Sequence, residues 1–446
     1  MRHLTDFDTI KRMGWFALPL IGGGLLQQFY TVVDSIIIGR FCGQNGLSAV
    51  GVASSLISFL TFIISGIGIG MTVLLSKYHG AGNRKRFRET ASTALVFGLA
   101  FTAVMAILCF VFAQSILILF QAPVEIMENS RWYMRIMCSG LIFAFLYNYY
   151  NAALLAIGNS KLPFLVLSVA AVNNICLTYL LGVILKWGVI GAALGSIISQ
   201  FFSAVLCHLY ATRKAPELVF TPGELMLDWE SLKEVMSYSS ISALQQFLFH
   251  GGKLAVQGAV NTLGVSTIAG YTAAVQIEAF VLSALEGLGT AVCRSSANGL
   301  GERNVKKIRS GFFAGLALSV SGTVCIGVIL WFLAPQIICC FGKNGEVESL
   351  ASGTVYLRYM AFFYMGVSVA SILQSLFRGN GRMNVAIGAT ILQMIFRVGT
   401  TWAFVGRIGI VAIAFGTLIG WLTMIVYDGI CAKRWFDRTE REFAAS

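Results

Sequence analysis

Chemistry is first legible in one carboxylate inside a long apolar segment. Asp34 lies in the run from Trp15 to Gly39, and an ionisable group at bilayer depth costs roughly 3 kcal/mol or more to insert, so by default it marks a functional site. Gly23, Gln27, Tyr30 and Asp34 recur at spacings of four, three and four. That sets small and polar groups on one helical face, while Leu25, Val32, Val33 and Ile36 to Ile38 fill much of the rest. One stripe of this helix therefore faces something wet. A carboxylate there suits coupling to a cation or a proton; the alternative is an acid that only fixes helix packing.

Other oxygen donors fall at a similar depth. Counted along a helix rising about 1.5 Å per residue, Asp34, Thr178 and Ser196 each stand roughly six or seven residues from the outer end of an apolar run. Asn174 lies one turn from Thr178 on the same face. A carboxylate, an amide oxygen and two hydroxyls make a hard ligand set for a small cation such as sodium. They also make a hydrogen-bond set that serves either protonation state of Asp34. Taken singly, Asn174, Thr178 and Ser196 also read as helix–helix glue.

The second half of the chain carries different polar groups. Gln246, His250, Lys253 and Gln257 form a stripe on one run, Glu278 and Glu286 lie on the next, and Arg397 lies further on. Lys253 and Glu278 fall at similar depths, so a Lys253–Glu278 pair is expected, with Arg397 nearby or reaching Glu286. His250 reads as a hydrogen-bonded packing residue. Gln27, Tyr30, Gln246, Lys253, Glu278, Gln374 and Arg397 are the candidate substrate-contacting residues.

These side chains must be positioned by membrane helices. Hydrophobic residues make up 57% of the chain and charged residues 12%, with a mean hydropathy of +0.77, against about 25% charged in a soluble domain. About twelve apolar runs of roughly 20 to 30 residues follow one another, starting near Trp15, Gly46, Ala91, Arg131, Phe164, Val189, Ser237, Thr267, Gly311, Ser352, Val385 and Gly409. The first is too long for a signal peptide and lacks a small-residue cleavage site. The net charge of +12 does not point to nucleic acid, because the basic residues sit in short loops. Lys77, Arg84 to Arg86 and Arg88 fill one loop and Arg303, Lys306, Lys307 and Arg309 another, with Lys433, Arg434, Arg438 and Arg441 at the end. The positive-inside rule then places both termini in the cytoplasm. The ten cysteines lack metal or redox spacing, and the adjacent pair Cys339 and Cys340 is a poor disulfide candidate. No metal cluster, HExxH, nucleophile elbow or P-loop lysine motif is present, which argues against an enzyme.

The chain repeats itself. Gly287 and Gly289 match Gly68 and Gly70, and Gly299 and Gly301 match Gly80 and Gly82, at an offset of 219. Gln245-Gln246-Phe247 match Gln27-Gln28-Phe29 at 218, and Gly409 and Gly416 match Gly188 and Gly195 at 221. Two homologous six-helix halves follow, in a parallel repeat suited to alternating access. The Gly66 to Gly70 glycines lie inside an apolar run and read as close helix packing rather than a nucleotide loop. The expected boundaries are an N-terminal lobe of residues 1–212, a cytoplasmic linker of 213–236, a C-terminal lobe of 237–432 and a cytoplasmic tail of 433–446. The linker acids Glu217, Glu224, Asp228, Glu230 and Glu234 read as a solvated face.

Several of these motifs together resemble a known family. Gln28-Phe29-Tyr30 with Val33-Asp34 and Gly39, Leu47-Ser48-Ala49-Val50-Gly51, the Gly68-x-Gly70 run with its basic Gly80-x-Gly82 loop, and Gln374 to Gly379 are similar to the multidrug and toxic compound extrusion transporters. The resemblance implies an all-α integral membrane fold of twelve helices in two six-helix bundles forming a V around a central cavity. It also implies export of a small molecule driven by protons or sodium, in a cell membrane that would be the inner membrane of a bacterium. By that resemblance Asp34 matches a first-helix aspartate, Asn174 a fifth-helix asparagine and Ser196 a sixth-helix hydroxyl. Thr178 stands where many relatives carry a second aspartate, and Ser371 where one branch has a tenth-helix carboxylate. This favours a site in the N-terminal lobe and leaves proton or sodium open. The reading is a monomeric antiporter for amphipathic cationic small molecules, with no cofactor beyond the coupling ion. The rival is a flippase-like exporter of an anionic or lipid-linked substrate, which Lys253 and Arg397 would suit.

Overall fold

The computed structural model describes residues 7–120, 122–221, 223–341 and 347–444, and among them every regular element is helical. The fourteen α-helices are α1 (Phe7–Phe41), α2 (Gly43–Gly80), α3 (Arg84–Val111), α4 (Ala113–Leu119), α5 (Val124–Ser139), α6 (Leu141–Ala156), α7 (Lys161–Leu177), α8 (Gly188–Lys214), α9 (Trp229–Val260), α10 (Val265–Gly301), α11 (Val305–Phe341), α12 (Val347–Gly379), α13 (Met383–Ile408) and α14 (Val411–Ala444). Among the described residues ten helices, the α7 one extended to Ile184, are long and apolar enough to cross a membrane. The other two expected crossings are present in altered form. One is divided at Gly140 into α5 and α6, sixteen residues each, and α9 has the length but is more polar. Gly345 and Pro222, both used in reading the loops, lie outside the described residues.

Two compact units form, and their boundaries fall inside helices. One unit is Leu25–Ala243; the other joins Met1–Gly24 to Leu244–Ser446. Thus α1 and α9 each begin in one unit and end in the other. In the second unit Met13 and Ala17 of α1 pack in a core with Leu288, Phe312 and Phe436. In the first, Val235 of α9 joins a core of Met71, Leu74, Phe145 and Tyr149. Apolar burial against a lipid reference gains little, so these cores are held by van der Waals fit and close backbone approach. The repeat shows in the backbone as well: Gly188 (φ 55°) and Gly409 (φ 58°) are 221 residues apart, and each takes a positive φ at the entrance to the last helix of its half.

Glu224 and Glu230 of the segment 213–236 are exposed, as a solvated face requires, and the segment is also tied down by surface contacts. Its acids dock on the start of α3: Arg86 pairs with Glu230 and with Asp228 at 3.4 Å, and Arg88 pairs with Glu224 at 3.1 Å. Glu234 accepts from the Tyr78 hydroxyl, and Ser92 Oγ donates to the Met226 carbonyl at 3.0 Å. Part of the basic loop charge is thereby neutralised within the protein. The expected tail is also ordered: α14 runs on to Ala444, with Trp435 and Phe436 in the core.

Candidate functional site

In the first unit, Asp34 and the residues expected around it come together. Asn174 Nδ2 donates to both carboxylate oxygens of Asp34, at 2.8 and 3.2 Å, when the amide is turned so that its Oδ1 lies 3.1 Å from the Ser196 hydroxyl. The Ser196 oxygen is also 3.2 Å from the Ala192 carbonyl. Asn174 is 5% exposed and Thr178 1%. The Thr178 hydroxyl faces the same carboxylate but meets no partner at hydrogen-bonding geometry. Tyr30 and Tyr133 lie within electrostatic reach of Asp34, with Gln27 beside the Tyr30 hydroxyl. Asp34 and Tyr30 are half-buried and Gln27 is exposed, so the polar stripe of α1 is partly open. Tyr133 was not legible as a site residue, because on α5 it reads as one more buried aromatic.

Two features of the sequence bring α7 and α8 close enough for this. Beyond Leu177 the helix continues as a π-helical turn, Thr178–Ile184, with Leu185 N–H bonded five residues back to Leu180 O at 2.9 Å. Such turns shift side chains out of α-helical register and occur often at functional sites. Opposite it, α8 presents glycines. A Cβ on Gly195 would sit 3.0 Å from Thr178 N and 3.2 Å from Leu177 C, so the glycine lets α8 lie this closely against the π turn and hold Ser196 beside Asn174.

The second unit holds the other expected residues in a different arrangement. Lys253 and Glu278 do not meet in a direct ion pair, nor do Arg397 and Glu286, among the described residues. Lys253 stacks over the Phe249 ring at 4.9 Å and lies within electrostatic reach of Glu278, Arg397 and Glu286. Glu278 is buried and accepts from the Tyr356 hydroxyl at 3.3 Å. The two charges act on each other at a distance while each is held by an aromatic residue of its own, Phe249 for Lys253 and Tyr356 for Glu278. Arg397 is 2% exposed, and its Nε has no hydrogen-bond partner. Gln374 is enclosed, with its amide bonded to Gln245 and Asp428. Gln245, and not its neighbour Gln246, joins that network. Sequence reading missed Asp428, which lies late in the last apolar run with no polar stripe around it. Among the described residues, no cluster of three or more His, Cys, Asp or Glu side chains is placed to hold a metal.

The profile described as MatE matches residues 19–180 and matches again at residues 242–403. The chain belongs to the MatE family. One family pattern matching twice is the internal repeat seen in the glycines. MatE proteins are transporters, and this chain is a transporter rather than an enzyme. It is 25% identical over 379 residues to the probable multidrug resistance protein YpnP of Bacillus subtilis, covering 85% of this chain and 84% of that one. It is 25% identical over 427 residues to multidrug and toxin extrusion protein 1 of Homo sapiens, covering 93% and 73%. A solved outward-facing multidrug resistance transporter of the MATE family superposes with a TM-score of 0.92 at 19% identity, covering 97% of each chain. The fold of this MatE chain is thus all-helical and multi-pass, and the family is one of multidrug efflux.

Proposed function

We propose that the protein is an antiporter that exports amphipathic, cationic small molecules by alternating access, with Asp34 as the coupling residue and the proton as the coupling ion. The observation that carries this reading is the Asp34–Asn174–Ser196 relay. With Asp34 ionised, Asn174 Nδ2 donates to both its oxygens, and Oδ1 accepts from Ser196. A half-turn of the same amide presents Oδ1 to a protonated Asp34 and lets Nδ2 donate to Ser196 Oγ at 3.1 Å. Ser196 then donates to the Ala192 carbonyl. Asn174 and Ser196 keep partners in both states, so within this relay a proton can bind or leave without orphaning the amide or the Ser196 hydroxyl. A sodium ion would need Asn174 Oδ1 turned to it and oxygen ligands in place of the amide N–H groups. The protein then works as a monomer in the cell membrane with both termini in the cytoplasm, which the basic loops support.

The test is export of a cationic dye from proteoliposomes under a proton gradient, a sodium gradient or neither. Asp34→Asn is expected to abolish uphill export in the proton gradient while leaving folding intact. Export at the wild-type rate by Asp34→Asn, or export driven by sodium alone, refutes the assignment. A second reading, export of an anionic or lipid-linked substrate, is favoured by Arg397 and Lys253, two enclosed cations without a direct ion pair among the described residues. Competition between cationic dyes and anionic headgroup analogues for export separates the two.

A further inference from the structure

The second unit contains a buried acid that the coupling site does not use. Asp428 on α14 is 0% exposed, and its two oxygens are served unequally. Oδ2 accepts from Gln374 Nε2 of α12 at 2.7 Å; Oδ1 has no hydrogen-bond partner. The Gln374 amide is held from its other end, where Oε1 accepts from Gln245 Nε2 of α9 at 2.8 Å. The same nitrogen donates to Thr390 Oγ1 of α13 at 2.9 Å. Four helices are thus clasped by one chain of uncharged donors that ends in a bare carboxyl oxygen.

One cation acts on that carboxyl. Arg378, one turn beyond Gln374 on α12, lies within electrostatic reach of Asp428 and also of Glu286 on α10. Its Nε is buried without a partner, and it is ion-paired to neither acid among the described residues. No other charged side chain is seen to act on Asp428 among the described residues; Arg309 of α11 pairs with Glu440 at 2.9 Å, and Lys253 of α9 acts on Glu286. The Thr390 hydroxyl of α13 joins the clasp through Gln245, and on α14 itself Tyr427 and Cys431 are the neighbouring ionisable groups. Two complementary buried atoms, an acceptor on Asp428 and a donor on Arg378, are both orphaned, which native structures rarely leave without a reason. A wholly buried ionised aspartate held by one neutral amide is a costlier arrangement than a neutral acid.

We propose that Asp428 is a second proton-binding carboxyl and that, with Arg378, it forms a proton-operated latch within this unit. With the proton on Oδ1 the acid is neutral, Arg378 stays apart and the four-helix clasp stands as observed. When the proton leaves, the carboxylate draws the Arg378 guanidinium onto Oδ1, and an ion pair replaces the neutral end of the clasp. Only a proton and one side-chain rotamer change. The latch is independent of the Asp34 reading.

Infrared difference spectroscopy of the full chain in lipid nanodiscs, stepped from acid to alkaline pH, tests this. The carbonyl band of a buried carboxylic acid is expected to disappear as pH rises. Asp428→Asn should remove that component, and Asp34→Asn should leave it in place. Arg378→Gln deletes the counterion without touching the clasp, so the same band should persist to proton concentrations at least about tenfold lower. A folded Asp428→Asn protein with the wild-type band overturns the proposal. If Asp428→Asn does not fold, an Arg378→Gln band that titrates as in the wild type overturns it.

Discussion

Gly195→Ala perturbs the positioning of the Asp34 site without altering any side chain in it. The added methyl would stand 3.0 Å from Thr178 N, 3.2 Å from Leu177 C and 3.2 Å from Thr178 Oγ1. Two of those three atoms are backbone and cannot rotate away. Alanine in a helix interior gains about 1 kcal/mol over glycine, while overpacking a tight contact costs about 1–3 kcal/mol. The clash relaxes by moving α8 a few tenths of an ångström from the π turn, which lengthens the 3.1 Å contact of Ser196 with Asn174. Gly51→Ala in the same unit is the control, since nothing lies within 4 Å of its Cβ; it receives the propensity gain and no clash. Gly195→Ala should therefore unfold more easily than Gly51→Ala by roughly 1–3 kcal/mol in detergent, and its gradient-driven export should fall while that of Gly51→Ala does not. Thr178→Ala on top of Gly195→Ala removes one of the three contacts and should recover part of the stability. Equal stability and equal export for the two single variants would refute the claim that this close approach builds the site.

The docked segment 213–236 gives a pH prediction outside the membrane. Hydrogen bonds from Thr221 hold the Glu224 carboxyl below its usual range, and those from Ser231 do the same for Asp228. A carboxyl depressed in the folded state stabilises above its unfolded value, about 4.3 for Glu and 3.9 for Asp, and that stabilisation is lost as pH falls through the lowered folded value. Hydrogen exchange in 221–235 should therefore be unchanged at neutral pH and should speed up only below about pH 4; loosening between pH 5 and 7 would exclude these two acids as the cause. Arg86→Gln breaks the contacts to Asp228 and Glu230 together, and should raise protease sensitivity of this segment at neutral pH; unchanged cleavage would mean the contacts are dispensable. Single cysteines at Gly82 and Gly301 should resist an impermeant thiol reagent in intact cells, and one at Glu125 should react, in a background freed of the native cysteines; the reverse pattern would invert the topology.

Asp34, Asn174 and Ser196 are legible in the sequence because membrane burial makes each polar group conspicuous and helical rise converts spacing into depth. What spacing does not carry is the register of one helix against another. The π turn at Thr178 is a backbone event with no motif of its own, and the depth count treats α7 as regular through it. The direct Lys253–Glu278 pair was not legible for a related reason: depth placed the charges at one level but not the helix rotation that leaves Lys253 over Phe249 and Glu278 on Tyr356. The linker acids are exposed as a run of charge suggests, but such a run does not reveal that some of them also pair with Arg86 and Arg88. Asp428 escaped notice because its partners, Gln245, Gln374 and Thr390, come from three other helices.

The two halves keep the same packing device and differ in the chemistry placed upon it. Gly195 and Gly416 are 221 residues apart, and each lets the last helix of its half press on the backbone of the fifth, at Thr178 N in one and at Thr401 N, 3.2 Å away, in the other. Ser196 and Thr417 follow them, and each hydroxyl lies within hydrogen-bonding distance of the carbonyl four residues back. The divergence lies at the position of Asp34. Its counterpart is Gly252, and the space a side chain would take there is filled by the Met394 thioether of α13, the helix that corresponds to the one bearing Asn174. A carboxylate at Gly252 would have to displace that sulfur, and would find no amide in its place. Restoring the acid alone, as Gly252→Asp, should therefore destabilise the protein and create no second coupling site. Gly252→Asp with Met394→Asn supplies both the space and the donor, and should recover folded yield measured by size-exclusion chromatography. If the single change is tolerated as well as the pair, Met394 is not what keeps the acid out of the second half.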